Sequence, residues 1–410
     1  MTLDPALAAE AARLGGAFGG YLRDVAATAR QRRAPVVVFL SGEGRWFAAT
    51  YERIRAATPE GRDLPPARHL AISRQASFLA SLDRFDATAL APMLAQYNAA
   101  SLGAVLGSLG LDLSAAALAS LGLDAGRPWT DQAGRAFGCA PLVRHIEARR
   151  QAQRSLLLAY LAQQGFPTVG EALVADIGWR GSIQDNLGRL LPQARLHGCY
   201  FLLLAPFVAA DPRCTRQSFL QPDAATARRL RFGAPLELAV GNETGSVIGY
   251  AGEAGEVRPV EAPAPRTSGM LATFRAALAE AAARSTAGPR QALAATLRFL
   301  EHPSRDFAAL YFGSKRDERF GTGQVLASPP ALTAGDLLAA LAGSAARHRL
   351  GLALARSGWP WALLQRDLAW LLPVLRPALL RLDLRLPGAP RSLAPVPQGG
   401  LILRRGDQAG

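Results

Sequence analysis

An apolar run that stops at an aspartate and two glycines, Leu173-Val174-Ala175-Asp176-Ile177-Gly178-Trp179-Arg180-Gly181-Ser182-Ile183-Gln184, constrains this chain more than any other stretch. It predicts a strand, a tight loop and a helix, because apolar residues give way to glycines and then to a helical pattern. Glycine allows positive φ and close backbone approach, and Ser182 suits a helix start whose unpaired N–H groups favour an anion. Phosphate is the natural guest of such a loop. Asp176, at the carboxyl end of the strand, then suits sugar hydroxyls or a magnesium ion, while Trp179 adds a stacking face and Arg180 a positive charge. A buried strand turning into a helix, with glycines kept for packing, satisfies the same pattern, so other stretches must decide.

Two earlier stretches repeat the arrangement. Residues 35–40 are almost purely apolar, as in a parallel strand covered on both faces, and end in Ser41-Gly42-Glu43-Gly44-Arg45 before a helix predicted over 46–56. Residues 68–72 read as a second strand ending at Ser73-Arg74. From 75 to about 165 only helical patterns occur, the longest over 140–164, which predicts a helical insertion. Strands follow at 171–175 and 196–204, then a helix over 224–240 broken near Gly233, a hairpin of 245–250 with 256–260, and a linker at 262–265. Beyond it lie helical patterns over 269–301, 333–350 and 361–372, and a Pro/Gly-rich tail from 387. The expected fold is α/β and Rossmann-like, with a mainly parallel sheet over 1–261, a helical insertion hooding the strand ends, a helical region over 262–386 and the tail over 387–410.

Half of the 410 residues are hydrophobic, enough for a substantial core. Lysine and arginine number 46 against 32 acidic residues, a net charge of +14 that attracts anions such as nucleotides, phosphosugars or acidic headgroups. The charge is not clustered with aromatics, so no nucleic-acid partner is expected. Cys139, Cys199 and Cys214 lack the spacing of a disulfide framework or a CxxC site, which points to free thiols and a cytoplasmic setting. No run has transmembrane length, leaving peripheral membrane contact; residues 361–380 read either as a surface amphipath or as a core helix ending at proline. The five histidines never pair at metal-ligand spacing, and no Gly-x-Ser-x-Gly motif marks a serine nucleophile.

Three fragments, residues 38–44, 71–74 and 176–184, together resemble the region that follows the phosphatase-like domain in bacterial predicted haloacid-dehalogenase-superfamily hydrolases associated with surface-polysaccharide biosynthesis. Pro235-Leu236-Glu237-Leu238 and residues 245–250 belong to the same pattern, so the likeness covers roughly 33–260. The Asp-x-Asp-x-Thr/Val nucleophile motif of that superfamily is not found here, so phosphatase activity is not carried over. Gly42 stands where the family has arginine, with Arg45 nearby. The order of strands and loops is also similar to type I phosphoribosyltransferases. There a first loop holds pyrophosphate, and an acidic pair with a second loop holds ribose and its phosphate. By position Ser41, Gly42 and Gly44 match the first loop and Asp176, Arg180, Gly181 and Ser182 the second, with Ala175 in place of the other acid.

These resemblances imply a phosphorylated sugar or nucleotide as ligand and a glycosyl or phosphoribosyl transferase as the activity. The alternative is a non-catalytic scaffold or sensor beside a polysaccharide enzyme. Asp176, Arg74 and Glu43 are the candidate catalytic residues, Asp176 the candidate magnesium ligand. Ser41, Gly42, Gly44, Ser73, Gly178, Trp179, Arg180, Gly181, Ser182 and Gln184 are the candidate binding residues, with Glu237 beside them. Glu43 equally suits an exposed loop, and Ser73-Arg74 equally suits a helix cap. The reading requires the segments near 41, 73 and 180 to meet at one rim.

Overall fold

A computed structural model of the chain describes residues 2–57, 61, 63–96, 100–205, 211–241, 244–253, 255–263, 268–314, 329, 331–374 and 376. The elements, in order, are α1 (Pro5–Gln31), β1 (Val37–Leu40), α2 (Glu43–Ala57), β2 (Ala67–Leu70), α3 (Arg74–Ser81), α4 (Ala87–Gln96), α5 (Leu102–Ser108), α6 (Ala115–Ser120), α7 (Ala133–Gly138) and α8 (Ala140–Gln163). They continue with β3 (Gly170–Trp179), α9 (Ser182–Leu190), β4 (Ala194–Leu203), β5 (Cys214–Leu220), α10 (Ala224–Arg229), α11 (Ala234–Val240), β6 (Val247–Glu253) and β7 (Glu256–Glu261). Six helices follow: α12 (Gly269–Arg284), α13 (Pro289–Glu301), α14 (Arg305–Gly313), α15 (Ala334–Ala342), α16 (Ser344–Arg356) and α17 (Pro360–Leu368).

Five strands form an all-parallel sheet in the order β2-β1-β3-β4-β5, and β6 and β7 form a separate antiparallel hairpin. The α/β class with a Rossmann-like parallel sheet is therefore as expected. In this order the chain leaves β1 for one edge and returns past it to β3, so a topological switch point lies between β1 and β3. Ligands of open α/β sheets bind outside the carboxyl ends of the strands at such a point.

Both faces of the sheet are covered, which is why β1 and the middle of β3 are uniformly buried and apolar. On one face α1 lays Phe18 and Tyr21 among Phe47, Phe201 and Phe219. Helix α12 crosses α1 so closely that a side chain at Gly19 would stand 2.2 Å from the Ala282 carbonyl. The helices after 262 thus share a core with the sheet through α1 and α12. On the other face α3, α8, α9 and the hairpin pack against β1, β3 and β4. The helical insertion runs from α3 to α8 and has a core of its own around Leu102, Leu118 and Trp129.

The structure departs from the sequence reading in three places that matter for the site. β3 does not stop at Asp176 but continues through Trp179, pairing with β4 as far as Leu203, so Gly178 and Trp179 are strand residues and only Arg180 and Gly181 are left to turn the chain. Helix α2 begins at Glu43, so Glu43 and Gly44 belong to its first turn and not to a loop. A fifth strand, β5, pairs with β4 where no strand was read. In the segment read either as a surface amphipath or as a core helix, α17 buries Trp361, Leu363, Leu364 and Leu368 in the core; Leu380 lies outside the described residues. Ala264 and Pro265 of the linker and the whole tail over 387–410 also lie outside them. Among the described residues no helix is long and apolar enough to cross a membrane.

Candidate functional site at the switch point

Parallel pairing in the order β2-β1-β3 puts the carboxyl ends of these strands side by side, so the turns after 40, 70 and 179 open at one edge of the sheet. Ser41 leaves β1 with φ of 69°, in the left-handed region that residues with a Cβ seldom occupy. That conformation turns the strand directly into α2. The Ser41 hydroxyl lies 2.8 Å from Glu43 Oε2 and 3.1 Å from Asp176 Oδ1. Asp176 Oδ1 also accepts the Ile177 N–H at 2.8 Å. Behind the turn, His69 Nε2 contacts the Ser41 carbonyl at 2.7 Å. A carbonyl can only accept, so Nε2 carries the hydrogen. Burial holds the His69 pKa below its usual value.

Asp176 is buried, 7% exposed. Burial, and then the neighbouring Glu43 charge, push its pKa well above the carboxylate range, against the opposing hydrogen bonds from Ser41 and Ile177; Glu237 adds to the rise. Ser41 has one hydroxyl hydrogen and two carboxyl neighbours, so its proton is shared between the Glu43 and Asp176 side chains. From the other side Tyr21 reaches across from α1 to place its hydroxyl 2.9 Å from the backbone carbonyls of both Asp176 and Cys199, which pins β3 against β4 at the aspartate.

The end of β3 is built for tight passage. Gly178 has φ of 127°, and a Cβ there would lie 1.8 Å from the Leu202 carbonyl, so no other residue fits. Trp179 does not offer a free stacking face. Its indole packs against Gly233 and donates to Glu237 Oε1 at 2.5 Å. Gly181, with φ of 69°, is the N-cap of α9, and Ser182 is the first residue of that helix. Arg180 turns a guanidinium N–H toward the Ala205 carbonyl, and burial lowers its pKa.

Gln184 does not line the cleft. It is fully buried, donates to the carbonyls of Leu196 and Thr215 at 2.9 and 3.0 Å, and accepts from the Tyr200 hydroxyl at 2.7 Å. Its amide ties α9 to β4 and β5, an interior position forced by the one-turn offset from Gly181. Ser73 is the N-cap of α3, accepting the Ala76 N–H at 3.0 Å and donating to the Val247 carbonyl at 2.5 Å. Arg74 opens that helix half-buried. Gly42 makes the turn itself, while Gly44 is buried where α2 packs on β1, 2.9 Å from the Phe39 carbonyl carbon had it a Cβ.

Sequence reasoning therefore named Ser41, Glu43 and Asp176 and required the segments near 41 and 180 to meet, but not the direct contacts among these side chains, and it missed Tyr21 and Arg216. Arg216, on β5, is 3% exposed; it donates to the Arg180 carbonyl at 3.4 Å and to Gln184 Oε1 at 3.3 Å, and pairs with Asp185. It holds the β3–α9 turn from behind. Among the described residues no group of three or more His, Cys, Asp and Glu is placed to hold a metal ion. Asp176 and Glu43 offer two carboxylates, which suits magnesium only if water and ligand oxygens complete its shell.

No protein-family model matches the chain, and no match to a curated protein was found. Fold and site together define an α/β protein with an all-parallel sheet, whose switch-point edge carries two carboxyl groups bridged by a serine.

Proposed function

We propose that the switch-point edge binds a phosphorylated sugar or sugar nucleotide, as a glycosyl or phosphoribosyl transferase of bacterial surface-polysaccharide biosynthesis would. The observation that carries this reading is the convergence of Ser41, Glu43 and Asp176 at the carboxyl ends of β1 and β3. Carboxyl and hydroxyl oxygens in a partly dry site bind sugar hydroxyls. The same oxygens repel phosphate, which would lie instead toward the starts of α3 and α9, where N–H groups without intrahelical partners and the Arg74 and Arg180 side chains favour an anion. Asp176 and Glu43 would share a magnesium ion with that phosphate. The phosphoribosyltransferase-like arrangement and the likeness to the polysaccharide-associated region belong to this proposal.

One feature favours the alternative, a non-catalytic scaffold or sensor: Ser73, Trp179 and Gln184 are engaged by the protein itself. Thermal-shift measurements against a panel of phosphosugars and sugar nucleotides, with and without magnesium, separate the two. A rise in melting temperature that Asp176→Ala abolishes supports the binding site. No shift with any compound supports the scaffold.

A further inference from the structure

Ser41 combines three properties that a buried turn residue does not need together. It sits at a strand-to-helix turn in the left-handed region, where a non-glycine residue is strained. Its hydroxyl lies within proton-transfer reach of a carboxylate, 2.8 Å from Glu43 Oε2. It is also only partly buried, so a reactant can reach it. A second carboxyl group, that of Asp176, stands 3.1 Å away on the other side, with Oδ1 also accepting the Ile177 N–H. The turn has the strand, sharp bend and helix of a nucleophile elbow. The sequence Leu40-Ser41-Gly42 does not have the elbow's usual glycine spacing, so only the backbone reveals it.

We propose that Ser41 is a nucleophile that accepts an acyl group from a carboxylic ester, with Glu43 as the base that takes its proton and then passes it to the leaving alcohol. The Ser41 oxygen forms a bond to the ester carbonyl carbon as its proton passes to Glu43. The carbon–oxygen bond to the alcohol then breaks, and the alcohol leaves with the proton that Glu43 took from Ser41. Water or an acceptor hydroxyl then attacks the acyl-serine and gives its proton to Glu43, which passes it to the Ser41 oxygen as the acyl group leaves, so the cycle balances. An uncharged ester carbonyl suits this place better than a phosphoryl group, because two acidic side chains flank the attacking oxygen. The Arg45 N–H is taken by the Gly42 carbonyl at 3.3 Å, which leaves the Glu43 and Gly44 N–H groups at the start of α2 as the donors for the oxyanion. This step goes beyond the phosphosugar reading and needs no phosphate.

The test uses the full chain and an uncharged alkyl fluorophosphonate, with the modified residue mapped by peptide mass spectrometry. Expected are an adduct on Ser41, its loss in Ser41→Ala, and labelling slower by about 100-fold in Glu43→Gln, the usual contribution of a general base. Circular dichroism establishes that each variant is folded; if Ser41→Ala is not, Glu43→Gln carries the test. Absence of a Ser41 adduct in the folded wild-type chain overturns the proposal, as does equal labelling of wild type and Glu43→Gln. Since the reagent carries no sugar or phosphate, failure here leaves the thermal-shift result standing, and the reverse.

Discussion

Trp179 donates its indole N–H to Glu237 across 2.5 Å and lays its ring over Gly233, so the last residue of β3 is clamped between the end of the α10–α11 turn and the first turn of α11. Gly233 has an ordinary φ of −82°, so space and not conformation selects glycine here: a Cβ would come within 1.4 Å of the ring. Gly233→Ala is expected to destabilise the fold by about 1–3 kcal/mol, the range for overpacking. The clash vanishes when the ring is removed, so Gly233→Ala combined with Trp179→Ala should cost less than the sum of the two. Urea unfolding of the four-member cycle gives the answer; strict additivity would show that the ring moves aside freely.

Asp176 gives a pH dependence with a definite sign. Its folded pKa is raised well above 3.8, so the native state binds a proton that the unfolded chain releases. Its share of stability is complete below about pH 3.8 and declines as pH rises through the folded pKa. Asp176→Asn keeps the shape and removes the titration. The variant should gain stability relative to wild type with rising pH, and the difference between their denaturation midpoints should widen from pH 5 to 8. A constant difference would mean that Asp176 is ionised throughout in the folded protein.

The sheet was legible wherever a strand is buried on both faces, because Val37-Val38-Phe39-Leu40 is wholly apolar and Leu196 to Leu203 nearly so, with His197 the exception. β5 was not legible. Its Arg216 and Gln217 are polar for reasons that lie far away: the first anchors the β3–α9 turn, and the second donates to Asp24 and Thr28 on α1. At the site, residue types were readable but not contacts. Ser41 and Asp176 are 135 positions apart, and only the strand order brings them together. Nothing in a sequence window marks Tyr21 as the residue that fixes the Asp176 backbone.

His197, on β4, supplies the opposite pH effect. It is 1% exposed, with Nδ1 2.7 Å from Thr215 Oγ1 and Nε2 3.3 Å from Gln217 Oε1. Burial and then the Arg32 charge lower its pKa to about 4, against the Gln217 hydrogen bond and the Glu171 charge. A depressed histidine pKa contributes stability that is complete above about pH 6.5 and lost as pH falls toward about 4, worth about 3 kcal/mol at about 1.4 kcal/mol per unit. The loss between pH 6.5 and 4 should shrink in His197→Asn. Denaturation curves at half-unit pH steps measure it, and an unchanged slope in the variant would assign the acid sensitivity to other groups.

Arg216 and Asp185 test whether the β3–α9 turn is held by charge. Their side chains are 4% and 13% exposed, so neither ion is compensated by water. Burial raises the Asp185 pKa even with Arg216 beside it. Removing the guanidinium leaves a buried carboxyl without its partner and strips donors from the Arg180 carbonyl and from Gln184 Oε1. Arg216→Met is expected to destabilise the protein by about 3–5 kcal/mol, as breaking a buried pair does. Adding Asp185→Asn removes the stranded charge but restores no donor to the turn. The double variant should therefore regain part of the lost stability at neutral pH and not all of it. Full recovery would show that the pair serves only to neutralise Asp185; a remaining deficit would show that Arg216 also fixes the backbone between Trp179 and α9.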